Sequence, residues 1–280
     1  MKFYSPLRYP GGKGFLVSEF KKIINLIGLD KPIYIEPYAG GAGVALALLF
    51  SNKVERIVIN DLDDTIYSFW KAAIEKPEKF SRKIIATPVT VKEWRKQKKI
   101  YLDKNADKFN RGFATFFLNR TNRSGVMNAG PIGGMDQRGK YKINSRYNKK
   151  ELVLRVRKIG VYRKYIEVLN QEGIELTKKY LGRDKIFIYL DPPYFKKGAM
   201  LYLNTYKEKN HEDLAGLLNE NADSDWILTY DELKRVRELY SDRVRRRLEL
   251  KYNVYDSTNV RKARELMIFS DSVSSRLNLI

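Results

Sequence analysis

Asp191-Pro192-Pro193-Tyr194 stands directly after an apolar run, Ile186 to Leu190. Two consecutive prolines stop a strand and stiffen the chain. An acid, fixed carbonyls and an aromatic ring therefore share one rigid corner. Such a corner suits a planar ring bearing an amino group: the carboxylate and a carbonyl accept from the amine, and the tyrosine stacks on the ring. A second place with chemical potential is Glu36-Pro37-Tyr38-Ala39-Gly40-Gly41-Ala42-Gly43, after the short apolar run Ile33-Tyr34-Ile35. Missing β-carbons let a ligand approach the backbone beside a helix N-terminus. Asp61 follows at the end of the run Arg56 to Asn60, where a carboxylate can accept two hydrogen bonds from a ribose diol. No glycine lies three residues after Gly43, so the turn is not G-x-G-x-x-G. A dinucleotide pyrophosphate fits poorly, and an adenosine-containing ligand without phosphates fits better. The third place is Tyr9-Pro10-Gly11-Gly12-Lys13-Gly14. It is not a phosphate-binding loop, because Gly14 stands where that motif needs Ser or Thr and no strand precedes it. Lys13 could meet a carboxylate at the ligand's end.

These places need a scaffold that gathers them. The apolar runs at 33–35, 56–60, 166–169, 186–190 and 226–230 read as strands, and helical stretches separate several of them. Val44 to Phe50 is apolar on every side, as a buried crossover helix would be. Leu248 to Tyr255 and Leu266 to Phe269 read as a terminal strand pair. Strands alternating with helices indicate an α/β fold whose parallel sheet is covered on both faces. Ligands bind at the carboxyl edge of such sheets, which is where the turns after 33–35, 56–60 and 186–190 open.

Composition narrows the chemistry. The 280 residues hold 43% hydrophobic and 12% aromatic side chains, enough for a core. With no cysteine, disulfides, thiolate nucleophiles and Cys-ligated metals are excluded, and with a single histidine, His211, no metal site is expected. The first residues lack the apolar stretch of a signal peptide. The longest apolar run, Ala42 to Phe50, is less than half the roughly 20 residues of a membrane span. A soluble cytoplasmic protein with no membrane partner is expected.

The net charge is +21, and it is unevenly placed. Residues 92–164 carry 21 basic and 5 acidic side chains, and residues 232–264 carry 11 and 5. The rest is near neutral. A solvated surface mixes signs, so the first stretch points to a nucleic-acid surface. Within it, 119–148 is punctuated by Gly, Asn and Pro and should form loops and short hairpins. Its Arg, Asn, Gln and Tyr side chains are the types that reach base edges or stack on bases. Phe109, Phe113, Phe116 and Phe117 recur at helical spacing and would anchor the stretch to a core.

Taken together, Asp191-Pro192-Pro193-Tyr194, Glu36-Pro37-Tyr38-Ala39-Gly40-Gly41 and Leu7-Arg8-Tyr9-Pro10-Gly11-Gly12-Lys13 resemble the Dam-type (D12 class) DNA adenine N6-methyltransferases. The order of the parts is also theirs. Further matches are Asn119-Arg120, Asn170-Gln171-Glu172 before Gly173-Ile174-Glu175, and Lys262-Ala263-Arg264-Glu265-Leu266. The resemblance implies a Rossmann-like methyltransferase sheet, mostly parallel with an antiparallel C-terminal strand. Residues 1–70 and 165–280 would form the catalytic domain, and 71–164 an inserted, mainly helical and hairpin-containing domain that recognises DNA. It implies S-adenosyl-L-methionine as cofactor. Gly40 and Gly41 would line it, Glu36 would support that loop, Asp61 would hold the ribose hydroxyls, and Tyr9 and Lys13 would lie over its methionine end. Glu172 stands where the family usually has aspartate. Asp191 and the Pro192 carbonyl would accept from the adenine amino group, with Tyr194 stacked on the base. A base inside a duplex is out of reach, so the adenine would flip out.

The resemblance also implies double-stranded DNA as partner and a monomer on it, and leaves a cognate restriction endonuclease open. Family members that read GATC usually carry Asn-Gly-apolar-x-Arg-Tyr-Asn after Asn-Arg. Here the place reads Arg123-Ser124-Gly125-Val126-Met127-Asn128, with asparagine where the arginine would be. GATC recognition is therefore not expected. Arg120, Arg123, Asn128, Gln137 and Arg138 are the candidates for base contact, and Lys140, Lys142 and Arg146 for further DNA contact. Two other readings stay open: a non-catalytic nucleic-acid-binding protein on this scaffold, and methylation of RNA adenine or of the cytosine amino group. The absence of cysteine argues against attack on a cytosine ring carbon.

Overall fold

Alternation along short apolar strands decides the layering. Tyr34, Ile57, Ile59, Phe187 and Tyr189 belong to one buried cluster, and Ile35, Val58, Ile188 and Leu190 to the other. Successive side chains of a strand point to opposite faces, so both faces of the sheet are covered. The computed structural model describes residues 4–8, 12–195, 206–251 and 262–279. Its strands are β1 (Ile33–Glu36), β2 (Arg56–Asn60), β3 (Ile166–Leu169), β4 (Ile186–Leu190), β5 (Trp226–Asp231), β6 (Arg245–Lys251) and β7 (Lys262–Phe269). Across the seven-stranded sheet their order is β3-β2-β1-β4-β5-β7-β6. All neighbours among β1 to β5 pair in parallel, and β7 runs antiparallel to both β5 and β6. The sheet is mostly parallel with one reversed strand, as the resemblance implies.

On one face lie α1 (Val17–Leu26) and α2 (Gly43–Phe50), the latter buried almost all round. On the other lie α8 (Gly173–Tyr180), α9 (Glu208–Glu220) and α10 (Lys234–Leu239), which contribute Leu176, Leu214, Leu218 and Val236 to the core; α11 (Asp271–Arg276) closes the described chain. No helix among the described residues is long and apolar enough to cross a membrane.

The connection from β2 to β3 carries α3 (Asp64–Glu75), α4 (Pro77–Ala86), α5 (Val91–Leu102), α6 (Lys108–Thr121) and α7 (Lys149–Val161). Most start at a polar cap: Asp63, Thr90, Asp107 and Asn148 each accept from a backbone N–H of the first turn, and α4 begins at Pro77. Phe69, Trp70, Phe80, Phe113, Phe116, Phe117 and Tyr147 fill the interior of this helical layer, and they share one buried cluster with α1, α2 and the sheet. The position 70/71 falls inside α3. Residues 122–148 form turns and 3-10 segments around a single antiparallel bridge, Asn122 with Pro131. The hairpin expected there is thus a minimal one.

The terminal strands start earlier than their apolar residues suggest, because β6 takes in Arg245, Arg246 and Arg247. An edge strand tolerates such residues, and each of these finds a partner. Arg245 donates to the carbonyls of Arg237 and Tyr240, at 2.8 and 3.0 Å, while Arg246 pairs with Glu19 and Arg247 with Glu232. These three arginines of the C-terminal basic stretch are therefore engaged within the protein. The expected strand residues Tyr252 to Tyr255 lie outside the described residues.

The crossing of α3 and α6 has no room for a side chain at Gly112, where a Cβ would lie 2.3 Å from the Ser68 carbonyl oxygen. Gly216, exposed on α9, has open space around it. Gly112→Ala should destabilise the protein by about 1–3 kcal/mol through overpacking. Gly216→Ala should stabilise it by roughly 0.5–1 kcal/mol through helix propensity. Urea unfolding of both variants checks the pair, and equal effects would contradict this account of the crossing.

Candidate active site

The chain leaves β1 for β2 and β3 on one side, then returns to β4 on the other. Connections diverge between β1 and β4, and an open sheet has its crevice at the carboxyl ends of such a pair. Asn60, at the end of β2 and 1% exposed, fastens the loops that line it. Its Nδ2 donates to the carbonyls of Pro37 and Gln171 at 2.8 and 3.0 Å, and its Oδ1 accepts from Gln171 N at 2.9 Å. Asn170 Nδ2 adds a bond to the Asp61 carbonyl at 2.7 Å.

The turn after β1 passes through left-handed backbone at Gly40 (φ 46°) and Ala42 (φ 45°). Gly40 N donates to Asp61 Oδ2 at 3.0 Å, Asp63 N donates to Oδ1 at 2.9 Å, and Trp70 Nε1 of α3 donates to the Gly40 carbonyl at 2.9 Å. Beneath the turn, Glu36 Oε1 accepts from Ala45 N at 3.0 Å and from Tyr34 O–H at 3.1 Å. Burial pushes Glu36 up to about 8 and Asp61 up to about 7. Glu172 caps α8 by accepting from Ile174 N and Glu175 N, and its Oε1 accepts from Tyr206 O–H at 2.7 Å.

At the end of β4, Asp191 is surrounded by donors. Lys13 Nζ lies 3.0 and 2.9 Å from its two carboxylate oxygens, and Thr229 Oγ1 and Tyr194 O–H donate to Oδ1 at 2.9 and 3.0 Å. Lys13 also donates to the Tyr194 hydroxyl at 2.8 Å and sits 3.4 Å from Glu265 Oε2. Burial works against the lysine's charge, but Asp191 and Glu265 outweigh it and hold its pKa above the ordinary value. Lys13, expected at the cofactor's methionine end, is thus drawn to Asp191, since a buried ammonium needs carboxylates. Tyr194 is 8% exposed, with the ammonium 5.1 Å from its ring centroid, so the ring expected to stack on a base is covered.

Glu36, Gly41, Asp61, Glu172, Asp191 and Lys13 all line one cavity of about 950 Å³. Arg120, Asn128 and Arg146 of the β2–β3 connection line it as well, so the crevice and the basic stretch face the same space. Among the described residues, no three or more His, Asp or Glu side chains gather as metal ligands would.

A model of the D12 class N6 adenine-specific DNA methyltransferases matches residues 9–256, nearly the whole chain. The chain belongs to this family. It is therefore an adenine-specific DNA methyltransferase by family, and DNA is that family's substrate. It is 22% identical to the type II methyltransferase M.MjaIII of Methanocaldococcus jannaschii over 221 residues, 74% of each protein. Among solved structures it is similar to the rRNA methyltransferase AviRa of Streptomyces viridochromogenes, with a TM-score of 0.41 and 12% identity over 96% of this chain and 89% of that one. A putative methylase of Haemophilus influenzae gives 0.33 and 11% over 93% and 100%.

The residues expected to meet DNA fall into distinct groups. Arg123, Asn128, Arg138, Lys140, Lys142 and Arg146 are exposed. Gln137 is not free to read a base: its Nε2 donates to the Ile132 carbonyl at 2.8 Å and its Oε1 accepts from Ile143 N at 2.8 Å, which closes the loop. Arg120 is 91% buried, and its Nε donates to the Arg146 carbonyl at 2.7 Å. Pro192 is buried, while Pro193 faces the cavity. Tyr9 lies outside the described residues. Sequence reasoning missed Asn60, Thr229, Tyr206 and the role of Glu265. An acid at 265 before the apolar run Leu266 to Phe269 was the available signal for the last.

Glu36 gives a pH test. Its folded pKa lies above the unfolded one, so its stabilising contribution is present below about pH 4.5 and is lost as pH rises through 8. An amide mimics the protonated acid at every pH. Glu36→Gln should therefore lose less stability than the parent between pH 5 and 8.5, by an amount on the order of a few kcal/mol. Urea unfolding at the two pH values measures it. A steeper decline in the variant would show that the carboxylate is needed charged.

Proposed function

We propose that this protein transfers a methyl group from S-adenosyl-L-methionine to the N6 amino nitrogen of an adenine flipped out of duplex DNA. The observation that carries the reading is the single cavity that joins the Asp191 corner, the Asp61 carboxylate and the basic β2–β3 connection. Its volume of about 950 Å³ is within the range of small-molecule clefts. Beside it, Gly41 leaves the backbone bare, and Asp61 is held in place by the amides of Gly40 and Asp63 with acceptor capacity to spare for a ribose diol. The residues therefore suit a nucleoside cofactor: Gly40, Gly41 and Asp61 would hold it, with Glu36 bracing the turn from below.

When bound, the sulfonium of that cofactor supplies a methyl group already activated for transfer. The chain must supply an amine able to accept it. The adenine amino nitrogen is a poor nucleophile because its lone pair is delocalised into the ring. Asp191 and the Pro192 carbonyl, as acceptors, would pull its N–H groups out of the ring plane and expose the lone pair. Asp191 would also stabilise the positive charge that develops on the nitrogen. For the amine to reach Asp191, Lys13 must give up that carboxylate, and its move would uncover the Tyr194 ring for stacking. Thr229 would keep Asp191 oriented throughout. Holding the reactants in line contributes much of the remaining acceleration.

We assign recognition to residues 71–164, acting as a monomer on double-stranded DNA. A type II restriction endonuclease of the same specificity is the partner that this reading would add. Incubation of the protein with duplex DNA and methyl-labelled cofactor should place label on adenine N6, and mapping the labelled positions gives the site. Label on cytosine, or none, sinks the proposal. Asp191→Asn should lower methyl transfer by roughly 10²-fold or more, as loss of an electrostatic stabiliser does. Asp61→Ala should weaken cofactor binding by roughly 10- to 100-fold, the loss of one or two hydrogen bonds to a charged group. Equilibrium binding of the cofactor separates the two variants.

A further inference from the structure

Four arginines from separate parts of the chain meet on the wall of the cavity. Arg8 comes from the start, Arg120 from the end of α6, Arg146 from the turn before α7, and Arg155 from α7 itself. Each of three is aimed by a backbone carbonyl: Arg120 Nε by Arg146 at 2.7 Å, Arg8 Nη1 by Asn122 at 3.3 Å, and Arg155 Nη1 by Ser5 at 2.7 Å. A carbonyl orients a guanidinium without cancelling its charge. Arg155 pairs with Glu151, and Glu151 is the carboxylate that acts on Arg120 from this cluster. Several arginines elsewhere pair with acids, as Arg243 does with Asp271, Arg246 with Glu19 and Arg276 with Asp225.

The cluster is thus built at a cost. Burial first, and then the neighbouring guanidiniums of Arg8, Arg155 and Arg146, push Arg120 down to about 9. Arg8 is lowered as well, by burial and then by Arg146. Among the described residues, the terminal nitrogens of Arg120 donate to no protein atom, although the residue is 91% buried. A neutral base edge would leave the surplus positive charge in place. An anion with several acceptor oxygens would offset it, and guanidinium forks match a phosphate bidentately.

We propose that Arg8, Arg120, Arg146 and Arg155 form a clamp for one backbone phosphate of the target DNA, with Arg120 as its buried floor and not a reader of bases. The inference rests on the DNA substrate proposed above. It also ties DNA seating to the catalytic end of the cavity. The Asn119 side chain accepts from Arg8 N at 2.7 Å and donates to the Arg8 carbonyl at 2.8 Å, so the backbone that carries the clamp leads within a few residues to Lys13. Phosphate contacts fix the register of a protein on a duplex and carry no sequence information themselves.

The test uses a duplex chosen by binding to the full-length protein, so that its readout does not depend on methyl transfer. Each phosphate in turn is replaced by a neutral methylphosphonate, and affinity is measured for the parent, Arg120→Met and Arg146→Met. One linkage should weaken the parent about tenfold when neutralised and weaken each variant no further. Each variant should also lower the slope of log K against log salt by about one, with cofactor affinity unchanged. Arg146 is exposed, so Arg146→Met keeps the test readable if Arg120→Met folds poorly. If both variants respond to every linkage as the parent does, the clamp is refuted. A fall in cofactor affinity with an unchanged salt slope would likewise refute it and assign the cluster to the cofactor's carboxylate. A parent that shows the linkage effect and yet does not methylate refutes the catalytic reading alone.

Discussion

Asn60 has both ends of its amide committed to backbone, in a place where water cannot substitute. A buried amide left unpaired costs more than the bond itself contributes, so the turns after β1 and β3 are held to the end of β2 by a penalty for letting go. One half of the candidate site hangs from those turns. Asp61 follows Asn60 directly and is aimed by the amides of Gly40 and Asp63. Glu172, next to Gln171, caps α8 and receives Tyr206. The geometry around Asp61 and Glu172 is thereby fixed largely by backbone positions and needs little from flexible side chains.

The Asp191 corner is organised differently. Its carboxylate is held by an ammonium, a hydroxyl and a phenol that come from the start of the chain, β5 and the corner itself. Such a group is oriented before any substrate arrives, and one of its partners, Lys13, has a second carboxylate at hand in Glu265. The two halves of the crevice therefore divide the work: rigid backbone on one side, exchangeable side-chain bonds on the other.

The sheet was largely legible in the sequence because apolar runs and glycine-rich turns are local signals. Ile33 to Glu36 and Ile186 to Leu190 could hardly be anything but buried strands, and the turns after them carried the site. What stayed hidden depends on residues distant in sequence. Asn60 reads as an ordinary polar end of a strand until β1 and β3 lie beside it. Gln137 has the composition of a base reader, but its side chain is consumed by the Ile132 carbonyl and Ile143 N. Arg120 resembles a surface residue until the core of α6 and the turn at Arg146 enclose it. The start of β6 was obscured because three consecutive arginines look like surface, and only an edge position with partners in reach lets them belong to a strand.

Gly112 allows α3 and α6 to touch backbone to backbone, and the helical layer shares one packed core with the sheet. A change of angle between that layer and the sheet would open this core, and cores are close-packed and resist such opening. Such packing would keep the width of the cleft nearly constant. If so, shape change on binding a duplex would fall mainly to the nucleic acid, and on the reading proposed above steps that kink easily would be favoured even at positions no side chain touches.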